Sequence, residues 1–250
     1  MDWIKDFYTK QYKWMGTDDE ALFTFEEQLI EKVEKHSGPV KNLLELGGGK
    51  GHFAVMAAKR GYEVTVIELI PEAVEHMKAL AKEHKVSDNL QIIEGDFYKV
   101  KLEEKFDVIC YWDGFGIGAD TDQRVLIKRM REWLRQGGDM YMDIYTPWYW
   151  AKVAGKRMQL NESISRAYDF DPEGCRMLDT WWQTEIPSET YTQSLRCYSP
   201  ADLQLLVGNE WAMEIVGVGG AMDYEKGTYH ESVPLNKAMS YLVKLEKERG

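Results

Sequence analysis

Gly47-Gly48-Gly49-Lys50-Gly51 follows directly on the apolar run Leu43-Leu44-Glu45-Leu46 and precedes a segment that reads as a helix. A strand, a glycine-rich turn and a helix in that order aim several backbone N–H groups and a helix N-terminus at a ligand, and small residues let that ligand approach the backbone. Gly49-x-Gly51-x-x-Ala54 also satisfies the relaxed dinucleotide fingerprint, and Glu68, at the end of the next apolar run, is placed to hold a ribose hydroxyl. Glycine spacing alone does not separate a dinucleotide from other adenosyl ligands.

Charge separates them. A dinucleotide brings a pyrophosphate, whereas S-adenosylmethionine brings a sulfonium, an ammonium, one carboxylate and no phosphate. Glu45 stands just before the glycines, Glu68 ends the second apolar run, Asp96 follows the third and Asp113 the fourth. Four carboxylates therefore gather at the edge where open α/β sheets bind their ligands, with Lys50 as the cation of the loop itself. Such a rim attracts a positively charged ligand and repels a pyrophosphate, which favours the sulfonium cofactor. Each acid also has a plainer reading: Glu68 as a solvated strand end, Gly95-Asp96 and Asp113-Gly114 as ordinary turn pairs.

The elements that must position these residues are legible from hydrophobic period. Leu22, Phe25, Leu29 and Val33 form a helical stripe over 19–35, with Glu26, Glu27, Glu31 and Lys32 on the remaining faces, and 3–14 reads as a further helix. Beyond Ser37-Gly38-Pro39, strands are expected over 41–46, 63–67, 90–94, 106–111 and 139–145, alternating with helices over 52–60, 71–81 and about 121–135. That alternation implies a parallel sheet covered on both faces, the doubly wound α/β architecture. A short helix over 200–207 and strands over 211–218 and 239–245 follow, the last two with no helix between them and so expected to pair antiparallel.

Between 147 and 197 the alternation breaks. The aromatic segment Pro147-Trp148-Tyr149-Trp150 and two apparent antiparallel strands, 176–184 and 189–198, read as an inserted cap over the strand ends. The domain reading is N-terminal helices over 1–37 that close the site, then an α/β domain over 38–250 carrying this cap. Trp148 and Trp150 from the cap, and Trp14 from the N-terminal side, are candidate substrate-binding residues, because indole faces bind flat rings and attract cations. Trp181 and Trp182 form a second aromatic group, and Tyr8 and Tyr12 could close the site from the opposite edge. For all of these the competing reading is packing into the cap's core or a helix face.

Here the sequence resembles the class I S-adenosylmethionine-dependent methyltransferases, whose E-x-G-x-G-x-G motif Glu45-Leu46-Gly47-Gly48-Gly49-Lys50-Gly51 matches at every defined position. The resemblance covers residues 40–146 well and 195–246 loosely. It implies a mostly parallel seven-stranded sheet of Rossmann-like type, with Gly47, Gly49 and Gly51 against the methionine moiety, Glu68 at the ribose, and Glu45, Gly48 and Leu69 also among the cofactor-binding residues. It further implies Asp96 and Phe97 at the adenine, and Asp113 near the methionine end.

Methyl transfer is an in-line displacement in which alignment and charge placement supply much of the acceleration, so no metal is expected. A base is needed only where the acceptor must lose a proton. His52, His230, Asp113 and the tyrosines are candidates, and none is assigned. A net charge of −11 without a basic stripe argues against a nucleic-acid partner, and the start Met1-Asp2-Trp3-Ile4-Lys5-Asp6 lacks the cationic run of a secretory leader. With no apolar run of membrane-spanning length, a cytoplasmic enzyme without membrane partners is expected. Three cysteines without paired spacing, Cys110, Cys175 and Cys197, read as reduced thiols. The favoured function is methyl transfer to a small-molecule O, N or S nucleophile. A protein or RNA methyltransferase, an NAD-dependent oxidoreductase and a non-catalytic cofactor sensor remain open.

Overall fold

The centre of the molecule is β1 (Asn42–Leu46), all five residues of which are buried, as expected of a strand covered on both faces. The computed structural model describes residues 3–15 and 19–247. Before β1 come α1 (Trp3–Trp14) and α2 (Asp19–Ser37); after it α3 (His52–Lys59), β2 (Glu63–Glu68), α4 (Pro71–Glu83), β3 (Leu90–Glu94), β4 (Phe106–Tyr111), α5 (Asp120–Trp133) and β5 (Leu134–Tyr145). Next are α6 (Pro147–Val153), β6 (Arg157–Gln159), β7 (Ile164–Asp171), β8 (Arg176–Gln183), β9 (Thr190–Arg196) and α7 (Pro200–Val207). The described chain closes with β10 (Trp211–Val218), β11 (Ala221–Asp223), β12 (Thr228–His230) and β13 (Ser240–Lys247).

Seven strands form one sheet in the order β10-β13-β5-β4-β1-β2-β3. β5, β4, β1, β2 and β3 run parallel, while β13 is antiparallel to both β5 and β10. Register brings the site together: Leu46 pairs with Ile67 on one side and Tyr111 on the other, and Glu68 pairs with Glu94. The turns after β1, β2, β3 and β4 therefore open on one edge of the sheet, and the order reverses between β1 and β4, where such sheets bind ligands. Phe53, Met77 and Leu80 with Ile30 and Val33 cover one face; Leu126, Met130 and Leu203 cover the other.

The structure departs from the pattern reading where polar residues sit on buried faces. Phe25 is 57% exposed, and the inner side of α2 is carried by Leu29, Ile30 and Val33; the side chain of Leu22 lies outside the described residues. The aromatic segment after Tyr145 is a helix, α6, with Pro147 at its first position. Aromatic residues are only moderate helix formers, so the proline was the better signal.

β6 and β7, which the pattern reading does not include, join β8 and β9 in a four-stranded antiparallel sheet. Their alternation is obscured because Arg166 shares the inner face of β7 with Ile164 and Tyr168, where it clamps the buried Asp179 through two hydrogen bonds of 2.7 and 2.6 Å. β11 and β12 form a further hairpin outside that reading.

α1 lies across from this second sheet. Phe7, 1% exposed, packs edge-on to Trp181, and Trp14 meets the ring of Tyr191. Gln193 Nε2 donates to the Tyr8 hydroxyl at 3.0 Å, and Lys10 pairs with Glu189. No helix among the described residues is long and apolar enough to cross a membrane.

Candidate active site

A cavity of about 1120 Å³ occupies the sheet edge where β1 through β4 end, larger than the roughly 300–1,000 Å³ of most small-molecule sites. Its floor is the turn after β1. Gly49 has φ +53°, in the region that side chains disfavour, and a Cβ there would point at the Tyr12 hydroxyl, 3.2 Å away. Gly51 differs in kind: with φ +91° it precedes α3, and any side chain would collide with Met77 of α4. Gly47, Gly48 and Gly49 line the cavity, whereas Gly51 holds the turn against α4 from beneath.

Glu68 is 4% exposed and fastens the turn: its carboxylate accepts from the amides of Gly49, Leu69 and Ile70, each at 2.8 Å. Burial raises its pKa, and the three amides oppose that shift without cancelling it. Leu69, Asp96 and Phe97 continue the wall. Asp96 caps its own turn through the amide of Tyr98 and pairs with Lys99, and Phe97 stands edge-on to Tyr111.

Glu45 is 2% exposed, and its Oε2 has no hydrogen-bond partner. Burial pushes its carboxyl well up, and neighbouring Glu26 and Glu68 add to the shift. Glu26 enters from α2, also carries a buried Oε2 without a partner, and is raised to about 7 by burial and by Asp113. The sequence reading left Glu26 on an outer helix face. The overlooked signal was its spacing, three and four residues before the buried Leu29 and Ile30, which puts it on the inner stripe.

Asp113 follows β4 with φ +48°, a conformation that Asp tolerates better than most residues, and its Oδ1 accepts from the Tyr145 hydroxyl. It faces the open cavity while protein crowds it closely enough to raise its pKa. Tyr8 and Tyr12, one helical turn apart on α1, form the roof, their ring centroids 6.2 Å apart. His52 is buried at the cavity wall with its ring against Phe23. His230 is exposed on the β12 hairpin and is not among the lining residues.

The tryptophan expectations are corrected. Trp150, 2% exposed, is in the core under the second sheet with its indole N–H on the Met239 carbonyl. Trp148 donates to the Leu235 carbonyl, and Trp14 is spent on Tyr191; none of the three lines the cavity. Trp181 packs on Phe7, and Trp182 is also absent from the lining. The aromatic roof comes from tyrosines because a phenol can reach a polar partner, as Tyr8 does at Gln193, while the indoles of Trp148 and Trp150 find theirs on backbone carbonyls away from the cavity.

Residues 43–138 match the family described as "Methyltransferase domain". Among curated proteins, the chain is 29% identical over 108 residues to protein arginine N-methyltransferase PRMT10 of Arabidopsis thaliana, covering 43% of this chain and 28% of that one. It is 31% identical over 121 residues to the tRNA 5-carboxymethoxyuridine methyltransferase of Escherichia coli K12, covering 47% and 46%. The chain thus spans less than half the length of these relatives. Among solved structures, the CcbJ methyltransferase of Streptomyces caelestis superposes with a TM-score of 0.71 at 19% identity, over 90% of both chains, a likeness of fold.

Proposed function

We propose that the chain is a class I S-adenosylmethionine-dependent methyltransferase, a reading supported by the methyltransferase-domain match over residues 43–138 and by the likeness of fold, and that it methylates a small-molecule O, N or S nucleophile inside the cavity beneath α1. The observation that carries this reading is the cavity itself: about 1120 Å³, roofed by Tyr8 and Tyr12, it has room for a nucleoside cofactor with a compact acceptor beside it. The cofactor fits the residues present. Two buried carboxylate oxygens without partners, on Glu45 and Glu26, suit a cationic ligand and would oppose a pyrophosphate. That weighs against the dinucleotide alternative.

S-adenosylmethionine supplies a methyl group on a sulfonium, a good leaving group. The chain's own residues orient and shield it. The turn at Gly47 to Gly49, pinned by Glu68, sets the floor; Glu68 with Leu69 takes the ribose side, and Asp96 with Phe97 the adenine side. Tyr8 and Tyr12 exclude water, which strengthens every charge interaction below them. Asp113 has one oxygen engaged by Tyr145 and keeps the other for a proton leaving an O–H, N–H or S–H acceptor.

The relatives above include enzymes named for protein arginine and for tRNA, so the acceptor class is the point to test. Incubation of the protein with methyl-labelled cofactor and separated metabolite, protein and RNA fractions, read by mass spectrometry, should place the label in the metabolite fraction. Label confined to protein or RNA would overturn the small-molecule reading.

A further inference from the structure

We propose that Glu26 is a cofactor-binding residue which, with Glu45, holds the ammonium group of the methionine moiety, so that the helix preceding the nucleotide-binding sheet completes the site. The inference rests on the cofactor reading above and deepens it.

Glu26 and Glu45 come from different elements, α2 and β1, and both line the same cavity. Each has a solvent-inaccessible Oε2 with no hydrogen-bond donor. One such oxygen is unusual; two, on carboxylates that line one cavity, are costly unless a donor carrying positive charge reaches them. Burial accordingly holds both carboxyls above their ordinary range, with Asp113 adding to the shift of Glu26, and Glu26 and Glu68 adding to that of Glu45.

The choice of group follows from donor chemistry. A sulfonium carries positive charge but no N–H, so it cannot satisfy an orphaned acceptor, whereas an ammonium has three donors. The other N–H donor of the cofactor is the adenine amine, and that end is assigned to Asp96 and Phe97, past Glu68 on the β3 side. Position agrees: Glu45 Oε2 lies 3.3 Å from where a Cβ on Gly48 would stand, directly under the turn assigned to the methionine moiety. Glu68 is the weaker candidate for the role, because three amides already share its carboxylate, Leu69 and Ile70 on Oε1 and Gly49 on Oε2, and the remaining site on Oε2 is the one assigned to the ribose.

The test is calorimetric titration of the full chain with two probes. S-adenosylhomocysteine carries the ammonium; 5′-methylthioadenosine keeps the adenosine and thioether but lacks the amino-acid portion. Glu26→Gln should weaken S-adenosylhomocysteine by about tenfold or more, the scale of a lost charge-assisted hydrogen bond, and leave 5′-methylthioadenosine within about twofold. On the unmodified protein, the deamino analogue of S-adenosylhomocysteine should bind about tenfold more weakly than the parent. Equal loss of both probes in Glu26→Gln would mean a structural role, and no loss would mean no contact; either result overturns the inference while leaving the cofactor reading intact. If the unmodified protein binds neither probe, the cofactor reading itself fails and takes this one with it.

Discussion

The hydroxyl of Tyr12 stands 3.2 Å from the point where a side chain on Gly49 would begin, so at this point the roof of the cavity rests almost directly on the turn that floors it. Gly49→Val would fill that gap and strain a backbone held at φ +53°. It should abolish S-adenosylhomocysteine binding in calorimetry while far-UV circular dichroism stays close to that of the parent. Unchanged affinity would remove the turn from the site.

Glu68→Ala leaves three backbone amides without their acceptor. We expect cofactor affinity to drop by about 1–3 kcal/mol and folding stability to fall by a comparable amount, because buried donors lose their partner. Paired titration and urea denaturation separate the two effects. A stability loss with full affinity would confine Glu68 to holding the turn.

Acid should stabilise the ligand-free protein over one window. Glu26 and Asp143 are raised to about 7 from ordinary values near 4.5 and 3.8, in both cases chiefly by burial. Between those limits the folded state binds more protons than the unfolded chain, so unfolding free energy declines as pH rises through about 5 to 7. The groups facing Glu26 are Asp113, Glu45 and Cys110, and Asp113, Lys32, Tyr145, Tyr241 and the Ser240 hydroxyl face Asp143. Melting temperature should therefore be higher at pH 5.5 than at pH 7.5, and saturating S-adenosylmethionine should flatten that slope by favouring the ionised carboxylates. A stability that climbs steadily from pH 5.5 to 7.5 without ligand would contradict the burial of these acids.

Asp113→Asn keeps a residue that tolerates the left-handed backbone at φ +48° but cannot take up a proton. Once an acceptor is known, this change should lower kcat by roughly 10²–10⁴ and leave S-adenosylhomocysteine affinity nearly unaltered, provided the acceptor loses its proton during transfer. Tyr145→Phe, which frees the same carboxylate, should shift the pH profile of kcat. Parent-like turnover and pH profile in both variants would exclude Asp113 from proton transfer.

The parallel sheet and its binding edge were legible in the sequence because strands buried on both faces are near-continuous apolar runs, and because Glu45, Glu68, Asp96 and Asp113 each follow or end one. Packing across the cavity was not. Glu26 joins the site through the helical spacing of a stripe that Phe25 seemed to define and in fact leaves. Arg166 and Asp179 hid a strand by putting an ion pair on its inner face. The tryptophans misled for the opposite reason: a large indole buries more apolar area in a core than at a wet cavity wall, and Trp150 and Trp181 went there.

At twelve residues, α1 is too short to hold its helical form alone in water, so it persists by leaning on the second sheet through Phe7 and Trp181. The closure of the cavity by Tyr8 and Tyr12 thus depends on packing outside it. A fault as remote as Trp181, which is not among the lining residues and acts on the roof through Phe7, would let solvent in from above and expose a bound methyl donor to wasteful hydrolysis.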